Sequence, residues 1–227
     1  MALRNCLMRV ASGTAYNVAD QFEGIYRRMK KTMLLGALML LASAGYAQES
    51  RQDASVSAIG VFGPQVNGNA VQLNSTGTVG FLGSYRYMLT PRSALELNYS
   101  FAQNSIAYRT SFLPNGRVHT RQQEISAAYV YNFRSFKSFN PFAEAGVGGM
   151  IFTPIRDSGT NLLDTKQNTN IGGLFGAGVA YELSPSFDIR VQYRGFVVKA
   201  PDFGLTDFKT NRYQVISMPA LGVAYHF

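Results

Sequence analysis

The sequence predicts an all-β protein, an eight-stranded antiparallel up-and-down transmembrane β-barrel. Three observations carry this expectation. Eight segments of about ten residues alternate in polarity, the period of a strand with unlike faces. The gaps between them alternate short and long, as in a barrel with tight turns at one end and loops at the other. The last segment sets Leu221, Val223, Tyr225 and Phe227 against Ala220, Gly222, Ala224 and His226, so the chain stops on an aromatic residue of the apolar face.

The N-terminal region supplies an address. Met29-Lys30-Lys31 is basic, Met33 to Ala42 is apolar, and Ala42-Ser43-Ala44 or Gly45-Tyr46-Ala47 offers a small-residue cleavage triplet. That order is a cleavable secretory signal peptide over 29–47. Its apolar run is about half of the roughly 20 residues a spanning helix needs. Cleavage after Ala47 leaves residues 48–227 as the barrel domain. Residues 1–28 read as an extension outside the fold, produced by a start assigned upstream of Met29.

Composition excludes several classes. The one cysteine, Cys6, precedes the signal, so residues 48–227 hold neither a disulfide scaffold nor a thiolate metal site. Six of the 21 Lys+Arg and two of the 13 Asp+Glu also precede Gln48, leaving 15 basic against 11 acidic residues, a formal +4. No basic stripe with interleaved stacking aromatics is present, so nucleic acid is not an expected partner. Two isolated histidines do not make a metal site, and no cofactor is expected.

The first strand, Ser55 to Gly63, has the weakest alternation, with Val56, Ala58 and Phe62 on one face but Ile59 and Val61 on the other. In the second, Val79, Phe81, Gly83, Tyr85, Tyr87 and Leu89 alternate with Gly80, Leu82, Ser84, Arg86 and Met88. A turn at Thr90-Pro91-Arg92-Ser93 leads to the third, where Leu95, Leu97, Tyr99 and Phe101 oppose Glu96, Asn98, Ser100 and Ala102. The fourth sets Ile125, Ala127, Tyr129, Tyr131 and Phe133 against Glu124, Ser126, Ala128, Val130 and Asn132. The fifth is Pro141 to Ile151. The sixth sets Ile171, Phe175, Ala177, Val179 and Tyr181 against Gly172, Leu174, Gly176, Gly178 and Glu182. After Ser184-Pro185-Ser186, the seventh sets Phe187, Ile189, Val191, Tyr193 and Val197 against Asp188, Arg190, Gln192 and Arg194. The eighth runs from Tyr213 to Phe227.

Links at 89–94, 134–141 and 183–186 are short; those near 64–77, 103–121, 152–169 and 199–212 are long. This rhythm predicts short periplasmic turns and long outer loops. A soluble up-and-down barrel shares the strand count but buries its apolar face inside and has little use for outward tyrosines. Closure of an even-numbered barrel satisfies every backbone polar group in lipid.

The chain resembles the small eight-stranded outer-membrane β-barrel family of the OmpA/OmpX type over roughly residues 54–227. The likeness lies in Arg92-Ser93-Ala94-Leu95-Glu96-Leu97-Asn98-Tyr99, in Asn140-Pro141-Phe142-Ala143-Glu144-Ala145-Gly146-Val147-Gly148 and in Val223-Ala224-Tyr225-His226-Phe227. These patterns speak to architecture rather than activity. The resemblance implies a bacterial outer-membrane location after export. It implies contact with outer-membrane lipid and lipopolysaccharide, and handling by periplasmic chaperones and the barrel assembly machinery. Leu221, Val223, Tyr225 and Phe227 match the family's C-terminal assembly signal, and a monomer is the favoured state.

The inward parity carries Arg86, Glu96, Glu124, Glu144, Glu182, Asp188, Arg190 and Arg194, with Gln192 and His226. Eight strands leave an interior just wide enough for side chains to fill, and buried charges need partners. The expectation is a carboxylate–arginine network that plugs the lumen. A gated path for ions or small solutes along the same charges is the rival, and a membrane-embedded lipid-modifying enzyme the third option. The outward tyrosines Tyr85, Tyr87, Tyr99, Tyr129, Tyr131, Tyr181, Tyr193 and Tyr225 suit headgroup level. Arg109, Arg117 and Arg121, beside His119, fall in a long outer loop on this reading and are placed to contact lipopolysaccharide phosphates. No local Ser/His/carboxylate motif points to catalysis, so no enzyme is expected.

Overall fold

A computed structural model describes residues 51–110, 116–158, 160, 165–205 and 209–227. The leader, the signal segment and the expected cleavage point lie outside the described residues. No helix occurs among them; the secondary structure is ten strands. Eight long strands form the wall: β1 (Gln52–Val61), β4 (Thr78–Thr90), β5 (Ser93–Arg109), β6 (Gly116–Asn132), β7 (Phe139–Pro154), β8 (Asn168–Ser184), β9 (Phe187–Lys199) and β10 (Tyr213–His226). Each pairs antiparallel with its neighbours in the order β1-β4-β5-β6-β7-β8-β9-β10. Pairing of β1 with β10, from Asp53↔His226 to Ile59↔Ala220, closes the ring. All eight segments read from the sequence are therefore strands, and the fold is the closed antiparallel barrel.

Alternation sets the wall's two faces. Val56, Leu97, Ile125, Val147, Ile171, Val191 and Leu221 are exposed, Ile171 to 83 %, whereas their strand neighbours turn inward. Such an apolar exterior is costly in water and is what hydrocarbon requires. The tyrosines named above are all exposed on this outer face. At the end that carries the short turns they meet phenylalanines, as in Phe139–Tyr181 and Phe187–Tyr225, both with ring centroids 5.1 Å apart. Their hydroxyls find partners: Tyr129 donates to Ser93 Oγ at 2.7 Å and Tyr85 to Gln52 Oε1 at 2.6 Å.

Two long links are not loops. Within 64–77 the chain forms β2 (Val66–Gly68) and β3 (Val71–Ser75), a hairpin that continues β1 and β4 upward. Its two-residue turn is Asn69-Ala70, with φ of 50° and 60°. Positive φ at both positions is the type I′ geometry that matches strand twist. Likewise β5 and β6 extend through most of 103–121 and pair up to Tyr108↔Gly116. The extensions carry Asn, Gln and Ser on the outward face, so they lack the apolar alternation that marks the membrane band. Ala70 holds a conformation that favours glycine, so Ala70→Gly is expected to raise stability by about 0.5–1 kcal/mol. A rise in the urea midpoint with unchanged slope would check this.

Candidate functional site

The lumen is filled in two layers of unlike chemistry. The half nearer the short turns holds charges. Arg86 Nε donates to Glu96 Oε2 at 2.7 Å, and Arg190 Nη2 donates to Asp53 Oδ2 at 3.2 Å. Asp53 and Glu96 also lie 4.0 Å from Arg86 and Arg190 respectively, so the four form one cluster. Phe142 lies under both guanidiniums, 4.8 Å from Arg86 and 5.7 Å from Arg190. Slightly higher, Arg194 donates from Nη2 to Glu124 Oε1 at 3.0 Å and from Nε to Glu144 Oε1 at 3.2 Å. Ser100 and Ser126 hydroxyls complete Glu124 at 3.1 and 2.7 Å. Arg194, Glu124 and Glu144 are closed off from solvent (Arg194 is 0 % exposed), which makes each partner indispensable to the others.

Alternation on adjacent strands explains this convergence. Arg190 and Arg194 are both even-numbered on β9 and face inward; Glu144 on β7 reaches past Gly176 of β8, which has no side chain to block it. A Cβ at Gly176 would lie 2.5 Å from Glu144 Oε1, and one at Gly178 2.6 Å from Phe142 Cζ. These glycines are therefore spacers for large inward groups from the next strand.

Above the charges the interior turns apolar. Ile59, Val61, Leu82, Ile106, Val118, Met150, Phe152, Leu174, Phe196, Ile216 and Met218 are buried and form one cluster with Leu73 of the hairpin. Phe203, from the segment between β9 and β10, is also fully buried there and packs edge-on against Tyr108 at 6.2 Å. The Tyr108 hydroxyl donates to the Pro201 carbonyl at 2.8 Å, tying this segment across the mouth. Phe203 takes φ +49° and Gly204 +79°, the backbone bend that turns the ring inward. The expectation of a lumen closed by charge alone is thus incomplete: its other half is a largely apolar core in which Asn104, Gln122 and Gln214 are also buried. A cavity remaining among Val61, Leu73, Asn104 and Ile216 has about 10 Å³, room for one water. A larger hollow of about 220 Å³ lies at the mouth beside the short turns, lined by Asp53, Arg86, Phe142, Asp188, Arg190 and His226 among others.

Of the expected lumen set, Arg86, Glu96, Glu124, Glu144, Arg190 and Arg194 are brought together. Glu182 is not: it is exposed at the rim beside the short turns, because β8 has there passed beyond the packed interior. Asp188 is buried but partners His226 Nε2 at 2.8 Å rather than an arginine. Asp53, Tyr108 and Phe203 were missed. Asp53 shares the inward parity of Ser55 and Ser57, two residues before the expected start of β1, and continuing that parity would have found it.

Arg109, Arg117 and Arg121 are on strands, not in a loop. All three are exposed on the outward face of β5 and β6, above the apolar band that ends at Phe101 and Ile125. The correction follows from the polar extensions described above. Leu221, Val223 and Tyr225 face outward on β10.

Comparison with known proteins agrees with this architecture. Residues 33–227 match the family model described as outer membrane protein beta-barrel domain. A crystal structure of Neisserial surface protein A is similar, with TM-score 0.56 and 17 % identity, over 78 % of this chain and 98 % of that one. That of outer membrane protein OprG from Pseudomonas aeruginosa has TM-score 0.56 and 11 % identity, over 80 % and 98 %. No curated protein sequence matches the chain significantly. With a family model spanning the whole closed barrel, this chain belongs to the outer membrane protein beta-barrel domain family.

Proposed function

We propose that the protein is a non-conducting, non-enzymatic outer-membrane barrel with a structural or surface-interaction role, carried by the strand extensions and loops beyond the outer leaflet. The supporting observation is the filling of the lumen: an arginine–carboxylate layer below and an apolar layer sealed by Phe203 above. Ions crossing a packed, largely apolar layer of this kind would lose most of their hydration for few replacement ligands, a cost of several kcal/mol. A rigid, closed wall then serves to display variable segments. On this reading the C-terminal Leu221, Val223, Tyr225 and Phe227 act during biogenesis, as the assembly signal.

Single-channel recording of the refolded barrel in a planar bilayer tests it. Silence is expected, in the wild type and in Glu96→Gln. Steady ion-selective openings that disappear on neutralising Arg86 or Glu96 would instead make the inward charges a conduction path. A lipid modification lost on deletion of the gene would point to catalysis.

A further inference from the structure

The hollow of about 220 Å³ beside the short turns lies at the opposite end of the barrel from the segments proposed above to carry surface contacts. It is a blind pit, because the closed-off Arg194–Glu124–Glu144 layer lies farther in. Its volume falls below the roughly 300–1,000 Å³ that holds a drug-sized ligand, so it suits a small guest.

The lining is mixed. Met88, Pro91, Phe133, Phe142 and Ala180 give apolar surface, while Asn132, Ser135 and Asn140 add amide and hydroxyl groups. Arg86, Arg190, Asp53 and Asp188 line it too, so arginines and aspartates are equal in number. Each of the four has a partner: Arg190 bonds Asp53, Arg86 bonds Glu96, and Asp188 bonds His226. A guest with a net charge would unbalance these pairs, which are shielded from solvent.

Hydrogen-bonding capacity is nevertheless left over. Asp53 and Arg190 are 1 % and 2 % exposed, and each keeps a polar atom without a partner among the described residues, Asp53 Oδ1 and Arg190 Nε. Their side chains meet at 3.2 Å, so an open acceptor and an open donor stand on adjoining groups. A hydroxyl both donates and accepts, and it does so without charge. Carboxylate, guanidinium and amide groups beside apolar surface match a sugar ring, which has hydroxyls around its edge and C–H bonds on its faces.

We propose that this hollow binds a single neutral sugar ring. Its hydroxyls bridge Asp53 and Arg190 and reach Asn140 and Ser135, while its C–H groups rest on the apolar lining. The hollow is open at the mouth, so a free hexose and the terminal unit of a longer glycan present the same chemistry to it. The inference goes beyond the surface role above and does not depend on it.

The test is a titration of the isotope-labelled full barrel, in a detergent without a sugar headgroup, followed through backbone amide shifts. The probes are D-glucose, D-galactose, N-acetylglucosamine, cellobiose and the charged sugars glucosamine and glucuronate. At least one neutral sugar should saturate and shift the amides of Asn140, Ala180, Asp188 and His226, with both charged sugars about tenfold weaker or more. Tighter binding of cellobiose than of glucose identifies the guest as a glycan end, and the reverse order as the free sugar. Ala180→Leu, which fills the hollow without touching a charge, should raise the dissociation constant about tenfold, as should Ser135→Ala/Asn140→Ala through two lost hydrogen bonds. Heat-modified gel mobility checks the fold of Ala180→Leu; Ser135 is exposed and Asn140 half-buried, so the double variant leaves the packed interior intact. No saturable shift at about 100 mM of any neutral sugar, shifts confined to residues away from the hollow, charged sugars binding as tightly as neutral ones, or undiminished binding by both variants would each overturn the proposal.

Discussion

Arg194→Ala is expected to destabilise the barrel by about 3–5 kcal/mol, because it strands two buried carboxylates. Glu124 and Glu144 come from different strands, and both are held by this one guanidinium at 3.0 and 3.2 Å. Bulk solvent does not reach the site to replace it, since all three side chains are 0 % exposed. The sign of a compensated change separates burial from fold. Arg194→Met with Glu124→Gln and Glu144→Gln removes every charge together and should recover most of the loss. Urea unfolding of the barrel in vesicles, followed by far-UV circular dichroism because the chain lacks tryptophan, measures both variants. A single variant as stable as the wild type would mean that the layer is wet, and the plugged lumen would fall with it.

On the opposite face, Leu97→Arg should cost about 2–4 kcal/mol, the penalty for arginine at the middle of a lipid-facing barrel wall. Leu97 is 61 % exposed between Leu95 and Tyr99, pairs with Tyr85 and Ala127, and has no carboxylate beside it on the outward face to receive a guanidinium. Gln103→Arg, six residues along the same face and above the band, should cost less than about 1 kcal/mol. The contrast between the two sites locates the hydrocarbon boundary. Equal effects would place Leu97 in water and undo the membrane orientation.

Parity explains why so much of the barrel was legible. Residues such as Leu95, Leu97, Tyr99 and Phe101 can occupy one face only if Glu96, Asn98 and Ser100 occupy the other, and the register then follows for neighbouring strands. Where the outward face turns polar, as at Gln103 and Ser105, while the inward one mixes Asn104 with Ile106 and Tyr108, or where the strand is three residues long, as in β2, period two carries no membrane-band signal. Those segments are strands because neighbouring strands offer them hydrogen bonds, a tertiary cause. The apolar outer half of the lumen was hidden for another reason. Ile59, Ile106, Phe152 and Phe196 fall on the inward parity beside polar residues, and only assembly places them on one level.

The sequence by itself determined an eight-stranded barrel, which side chains face lipid, and that arginines and carboxylates share the interior. Those properties follow from side-chain alternation, which is local. Tertiary structure decided the partners: Arg194 with Glu124 and Glu144, Arg190 with Asp53, and Asp188 with His226. It also decided that Glu182 stays at the rim, that Phe203 seals the outer mouth and that three arginines form one outward row. Each of these depends on the stagger between strands far apart in sequence and on how high each residue stands in the wall. Pairing register and height belong to the closed ring, and alternation along a single strand contains neither.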